Sequence, residues 1–133
     1  MKPLNEYRKT RILTATPGEL IVMLYDGLLG RVEGARKHIE NNKPALAGQL
    51  LSRAHDILHE LMGCLDHEKS PELADNLTAL YSYCANLLVE GLGKAEPKKF
   101  EEVYGLLKPL RDAWEDAERQ CKSGVDSQLA VNE

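Results

Sequence analysis

A helix start signal followed by a long apolar stripe constrains the fold of this 133-residue chain more than any other feature. Thr16 can cap free backbone amides, Pro17 fits the first helical position, and Glu19 follows Thr16 by three residues, as a capping box requires. The sequence therefore predicts an amphipathic helix over about 17–40. Its core face recurs at helical spacing through Ile21, Leu24, Leu28, Val32, Ala35 and Ile39.

A second line on the same predicted helix carries few large side chains. It runs through Leu20, Met23, Gly27, Gly30 and Gly34. Glycine inside a helix costs about 1 kcal/mol relative to alanine, so three glycines on one line need a reason. They indicate a place where another backbone comes close, either a neighbouring helix of the same fold or a bound helix.

The remainder of the chain divides into three further helical segments, separated by prolines. Short connections between helices of similar length favour antiparallel neighbours. We therefore predict an all-α fold, an antiparallel up-and-down four-helix bundle in a single domain, with a mobile N-terminal arm and a disordered C-terminal tail. The expected segments are the arm over 1–15, helices over about 17–40, 44–65, 71–93 and 98–121, and the tail over 122–133.

Charge, hydropathy and cysteine content exclude several classes of protein. A net charge of -4 argues against general nucleic-acid binding, which relies on a basic face. No segment approaches the roughly 20 uninterrupted apolar residues of a membrane span, and no signal-peptide core is present, so we expect a cytoplasmic protein without membrane insertion. Cys64, Cys84 and Cys121 are odd in number and far apart, which predicts three buried thiols rather than a disulfide or zinc framework.

The histidines offer little catalytic chemistry. His55 and His59 lie four apart and share a helix face, the minimum for a metal pair, but Asp56 and Glu60 point about 100° away and supply no obvious third ligand. The region around His55 also resembles a histidine phosphotransfer domain, although Leu58 and His59 stand where such domains carry a lysine and a small residue. We expect no cofactor, no metal and no catalytic residues, and phosphotransfer is kept as an alternative.

Short motifs follow one another in order along most of the chain: Tyr7, Thr14, Ala15, Pro17, Leu20, Met23, Leu24, Tyr25, Asp26 and Gly27, then Leu65-Asp66, Asn76-Leu77, Leu80-Tyr81, Tyr83, Leu110-Arg111 and Ala113-Trp114. This ordered set resembles the signature of the FliS family of flagellin-specific export chaperones. Thr16 stands where the family usually has serine, which exchanges one capping hydroxyl for another. Pro109 stands where a helix-forming residue is more usual, and predicts a kink in the fourth helix.

This resemblance implies a chaperone rather than an enzyme. Its client would be flagellin, whose disordered C-terminal segment folds into helices around the bundle and cannot polymerise before export; the flagellar export apparatus would be a further partner. Helix-in-groove binding coupled to folding is the expected mode, and a generic helix-binding module is an alternative function. The sequence leaves open whether the client-free protein forms a homodimer. The expected partner contacts are Tyr7, Ile12, Leu13, Leu20, Met23, Tyr25, Gly27, Tyr81, Tyr83, Leu87 and Leu88.

One expectation concerns the directions of two neighbouring tyrosine side chains. Tyr81 and Tyr83 lie two residues apart on one helix, so they point about 160° apart and one should face inward and the other outward.

The N-terminal arm carries apolar residues beside basic ones and needs a surface to lie on. We expect it, anchored by Tyr7, to cover part of an apolar groove until a client displaces it.

Overall fold

The computed structural model describes the backbone of residues 2–132 and the side chains of residues 6–122. All of the regular structure in these residues is helical. The last four helices form a four-helix bundle, which confirms the predicted fold class. The helices are α1 (Lys2–Thr14), α2 (Pro17–Glu40), α3 (Pro44–Gly63), α4 (Pro71–Lys94) and α5 (Pro97–Asn132).

The bundle has an up-and-down topology. Helix α2 contacts α3 and α5, and α4 contacts the same two helices, so the four form a ring in chain order. Gly27 on α2 lies near Ile57 on α3, and Gly34 lies near Leu50, so residue numbers rise along one helix as they fall along the other. Helices α2 and α3 are therefore antiparallel, as predicted from the short connections.

The start of α2 follows the capping signal in the sequence. The hydroxyl oxygen of Thr16 accepts a hydrogen bond from the backbone amide of Glu19 at 3.2 Å, and Pro17 is the first helical residue. The same hydroxyl donates to a carboxylate oxygen of Glu118 on α5 at 2.5 Å. The cap thus fixes the end of α2 and also joins it to α5.

The core lies along the predicted apolar face of α2 and the facing stripes of α3, α4 and α5. Leu28, Val32, Ala35 and Ile39 are buried, while Ile21 and Leu24 pack against the core from its edge. The cysteines differ from the expectation, because only Cys84 is buried, whereas Cys64 and Cys121 are exposed. The prediction of three buried thiols is therefore wrong for two of them: Cys64 caps the end of α3, and Cys121 lies on a part of α5 whose neighbouring residues are also exposed.

The glycine line on α2 serves more than one purpose. A methyl group on Gly34 would lie 2.9 Å from Cδ1 of Leu50, so here the bare position lets α3 approach closely. At Gly30 no atom lies within 4 Å of the same position. The neighbouring-helix reading therefore holds at Gly34, and Gly30 faces open space.

The N-terminal arm differs from its predicted form. Residues Lys2–Thr14 are helical, whereas the sequence pattern was too short to predict a stable helix there. Tyr7 is 64% exposed and Leu13 is 85% exposed, and neither is among the residues that line the two apolar grooves described below. The predicted anchoring of the arm by Tyr7 is therefore absent from this structure.

The fourth bundle helix also extends beyond its predicted bounds. The backbone of α5 runs as one helix through Pro109 and on to Asn132. Pro109 and Gly105 are both exposed, so the Gly105 carbonyl that loses its intrahelical donor faces water. The predicted tail over 122–133 lies almost wholly outside the described side chains, and its disorder stays a prediction.

The four helices do not pack equally closely. Helix α2 lies near both α3 and α5 along much of its length, whereas α4 makes fewer close approaches to the same two neighbours. Two of the concave surfaces described below border α4. The spacing around this helix therefore decides where a partner can reach apolar surface.

Candidate partner-binding surface

An apolar groove opens at the end of the bundle where α2 begins and α3 ends. Its cavity volume is about 210 Å³. The buried side chains of Leu61 and Tyr81 form its floor, Leu73 on α4 is 59% exposed at its rim, and Trp114 on α5 is 37% exposed on its wall. We call this surface the terminal groove. It is also lined by Ile21, Cys64, Leu65, Asp66, Ser70, Ala74 and Leu77.

A second groove lies between α3 and α4 towards the opposite end of the bundle. Its cavity volume is about 300 Å³. Leu51 and Leu88 form an apolar floor, Val89 is 63% exposed at the edge, and His55 and Asp56 supply a polar rim. We call this surface the lateral groove. The lateral groove thus joins a buried apolar floor to an exposed apolar edge.

The face between α2 and α5 is charged. Nε of Arg111 donates to Oδ1 of Asp26 at 2.7 Å, and Nη2 lies 3.4 Å from Oδ2, which gives a two-pronged pair. Arg111 also pairs with Glu115, and the Asp26 carboxylate is the main reason that the pKa of Arg111 is raised. Met23 lies in the adjacent cleft. Two motifs that are 85 residues apart in the sequence thus meet in the fold.

A buried tyrosine pair crosses the core beneath the terminal groove. The hydroxyls of Tyr25 on α2 and Tyr81 on α4 are hydrogen-bonded at 2.5 Å. Burial raises the pKa of both groups, and for Tyr25 the bond to Tyr81 adds to that effect. One hydroxyl donates to the other, so both oxygens take part in a hydrogen bond inside the apolar core, and both groups stay protonated at neutral pH.

The predicted contact residues are distributed over several surfaces. Tyr25, Tyr81, Leu87 and Leu88 belong to the core, with at most 4% of each side chain exposed, so they offer a partner little surface in this conformation. Met23 and Gly27 are half-buried. The remaining five are exposed, at Tyr7, Ile12, Leu13, Leu20 and Tyr83.

The expected opposition of the two α4 tyrosines is confirmed. Tyr81 is 2% exposed and faces the core, whereas Tyr83 is 47% exposed and donates its hydroxyl to the Glu102 carboxylate on α5. That carboxylate raises the pKa of Tyr83. Tyr83 thus lies on the α4–α5 face, away from the terminal groove.

Sequence reasoning missed the residues that give the two grooves their exposed apolar surface. Leu73, Val89 and Trp114 were absent from the predicted contacts, because Leu73 and Trp114 fit the core stripe of their helices and Val89 follows it directly. The position of Leu73 along its helix is a signal that could have identified it as partly exposed. Leu73 lies in the first turn of α4, and a large apolar side chain at a helix end is often only partly covered.

The two histidines of α3 lie side by side. The ring centroids of His55 and His59 are 4.7 Å apart, with the planes inclined at 58°. Within residues 6–122, no group of three or more potential metal-ligating side chains comes together. Among the helices described, none is both long enough and apolar enough to span a membrane.

The fold defines the class as an all-α four-helix-bundle protein with open apolar grooves and a charged α2–α5 face. Comparison with known proteins specifies the class further. Residues 1–121 match the sequence model of the family described as "Flagellar protein FliS". The chain belongs to the FliS family.

Individual relatives agree with this assignment. The flagellar secretion chaperone FliS of Bacillus subtilis strain 168 is 34% identical over 125 residues, which cover 92% of this chain and 92% of that protein. The chaperone of the same name from Salmonella typhimurium strain LT2 is 35% identical over 107 residues, covering 80% of this chain and 79% of the relative. Since these relatives are named chaperones, the prediction that the chain is not an enzyme is confirmed.

A solved structure supports the fold. A protein described as a flagellar chaperone from bacteria superposes with a TM-score of 0.72 and 18% sequence identity. The match covers 89% of this chain and 98% of the other. At this identity the likeness concerns the fold alone, and it agrees with the helical bundle described above.

Proposed function

We propose that this protein is a cytoplasmic export chaperone that binds the disordered C-terminal segment of flagellin. The bound segment folds into helices on the bundle, cannot polymerise prematurely and remains competent for export, and the flagellar export apparatus is the second partner. The observation that carries this proposal is the presence of two open apolar grooves on a member of a flagellar chaperone family. Apolar grooves on a preformed bundle suit helix-in-groove recognition.

The spacing of the grooves sets the size of the segment that fits them. On α4, Leu77 lines the terminal groove and Leu92 lines the lateral groove, fifteen residues further along. At the rise of an α-helix this separation is about 22 Å. A client helix of four turns or more can therefore place one apolar anchor in each groove. Its folding cost offsets part of the contact free energy, which keeps release feasible.

Binding of a peptide from the C-terminal part of the cognate flagellin tests the proposal. Isothermal titration calorimetry measures the affinity, and circular dichroism of the mixture reports helicity. We expect more helicity in the mixture than in the sum of the separate spectra. Absence of measurable binding, or a purely additive spectrum at saturation, would contradict coupled folding on this bundle.

Two matched substitutions locate the binding surface. Leu73→Glu places a carboxylate on the rim of the terminal groove and should weaken binding at least tenfold, since burying a charge there costs about 2 kcal/mol or more. Leu46→Glu is the control, because Leu46 is a similarly exposed leucine outside both grooves, 42% exposed against 59% for Leu73. Equal effects on affinity from both variants would count against the terminal groove as the binding site.

The uncovered grooves also bear on self-association. Exposed apolar surface at Leu73 and Val89 gives a second copy of the chain something to bind when no client is present. We therefore propose a weak homodimer of the client-free chaperone that the client dissociates. Analytical ultracentrifugation with and without peptide measures this, and a monomer at all concentrations would refute it.

A further inference from the structure

Residues 111–122 of α5, which we call the outer segment, have little apolar contact with the bundle. Phe100, Val103 and Leu107 bury the first half of the helix in the core, whereas no side chain of residues 108–122 is buried. Trp114 is the single large apolar residue of the outer segment, and 37% of its surface is exposed. Because burial of apolar surface is the main free energy that holds packed helices together, the outer segment is held only weakly by this effect.

Polar contacts join the outer segment to the first part of α2. They are Arg111 with Asp26 at 2.7 Å, the Thr16 hydroxyl with Glu118 at 2.5 Å, and Lys122 with Glu19. In each of the two ion pairs one partner is about half exposed. Exposed ion pairs are weak and are screened by salt, so the outer segment can separate from α2 at a modest cost in free energy.

A break in the helical hydrogen bonding lies just before the outer segment. Pro109 has no amide hydrogen, so the carbonyl oxygen of Gly105 receives no bond from it. At Gly105 no neighbouring helix lies within 4 Å of the position that a Cβ atom would take. Sharp helix kinks occur at prolines, and a few residues at such a point can absorb a change of direction. The turn from Gly105 to Pro109 is therefore the place about which the outer segment can rotate.

Movement of the outer segment would change the shape of the terminal groove. Trp114 forms one wall of that groove, while Leu73 on α4 stands at its rim. The cavity of about 210 Å³ has the volume of a cube with an edge of about 6 Å, whereas an α-helix with its side chains is about 10 Å across. With Trp114 in its present position, the groove can receive a side chain but not a whole helix.

We infer that the outer segment of α5 is a movable wall of the terminal groove. It turns outwards about Pro109 so that a client helix can settle between Trp114 and α4, and it returns to α2 when the client leaves. The inference rests on the proposed function and adds a conformational step to it. Since the polar contacts with α2 hold the closed position, the fraction of open molecules sets the apparent affinity for the client.

A reversible disulfide tests whether the wall must move. A Cβ atom on Gly18 would lie 2.7 Å from Cδ of Glu118, so cysteines at these two positions are within reach of a bridge. The variant carries Gly18→Cys and Glu118→Cys, with Cys64→Ser and Cys121→Ser to remove the exposed native thiols. We expect the oxidised form to bind the flagellin peptide at least tenfold more weakly than the reduced form. The peptide should also change the emission of Trp114, the single tryptophan, in the reduced form only. Because a disulfide restricts the unfolded chain, unfolding does not explain such a loss.

A second variant loosens the wall instead. Asp26→Asn with Glu19→Gln removes the charges that hold the outer segment, with side chains of nearly the same size. We expect about threefold tighter binding of the peptide and more efficient acrylamide quenching of Trp114 in the free protein, because more molecules are open. Glu33→Gln is the matched control and should change neither quantity, since Glu33 pairs with Arg36 within α2 and not with α5.

The outcomes separate this inference from the proposed function. Equal affinity of the oxidised and reduced forms would overturn the movable wall, because the client would then bind the groove as it stands. Wild-type affinity and quenching in the loosened variant would overturn it as well, and this result decides the question if the disulfide does not form. Failure of the wild type to bind the peptide at all would refute the proposed function itself.

Discussion

Replacing Gly91 with alanine tests how closely α4 meets the start of α5. Gly91 is buried, and a methyl group built there would lie 2.7 Å from Cε1 and 3.0 Å from Cζ of Phe100. It would also lie 3.1 Å from Cβ of Lys99. Phe100 is fully buried in the core, so its ring has no free space into which to move.

The change in the free energy of unfolding caused by Gly91→Ala is the sum of two opposing effects. Alanine is favoured over glycine in a helix by about 0.5–1 kcal/mol, which would stabilise the protein. Overpacking a filled core costs about 1–3 kcal/mol. Because the nearest atoms are a core ring and a Cβ atom beside the backbone, the second effect should exceed the first. We expect Gly91→Ala to lower the free energy of unfolding by about 1–2 kcal/mol.

Gly93→Ala provides a matched control on the same helix. No atom lies within 4 Å of the position that a methyl group would take there, so only the helix preference acts. The free energy of unfolding should rise by about 0.5–1 kcal/mol. Urea denaturation followed by circular dichroism measures both variants. If both substitutions stabilise the protein to the same extent, the packing argument at Gly91 is refuted.

Three further predictions concern stability. Ala95 ends α4 with a positive φ of 53°, a conformation that glycine adopts more readily than alanine. Ala95→Gly should therefore raise the free energy of unfolding by about 0.5–1 kcal/mol, measured by urea denaturation. Arg111→Ala should cost about 1 kcal/mol at low salt and less at high salt in the same assay, since its partner Asp26 is about half exposed. Burial raises the pKa of Cys84 from 9.0 to about 11 and that of Tyr25 well above 10.0. The free energy of unfolding should therefore be constant below pH 9 and should decrease as the pH rises towards 11, because the unfolded chain loses these protons first. Urea denaturation at a series of pH values measures this decrease.

Local signals made the helices and much of the core predictable. The start of α2 is specified by Thr16, Pro17 and Glu19, three positions within four residues whose capping bond and fixed backbone angle do not depend on the rest of the fold. The core stripe of α2 is likewise a property of spacing along one helix. The predictions of these two features were confirmed because short-range geometry determines both of them.

The grooves depend instead on distances between helices, which no local pattern contains. Leu73 and Leu88 both fit the apolar stripe of α4, yet one is 59% exposed and the other 2%, because the bundle opens at one end. Tyr25 was expected to face a partner, but its ring is buried and its hydroxyl is hydrogen-bonded to that of Tyr81, which lies 56 residues away in the sequence. A pairing between distant segments decided the environment of each of these side chains.

The uneven spacing of the bundle helices affects the order in which the bundle opens. Helix α2 is held closely on two sides, so its amides should exchange with solvent only through near-complete unfolding, whereas α4 has fewer close neighbours and should exchange through smaller openings. A client segment lying in the grooves beside α4 would suppress those openings. Among the four bundle helices, the one with the fewest close approaches to its neighbours should then gain the most protection from exchange in a complex with the client.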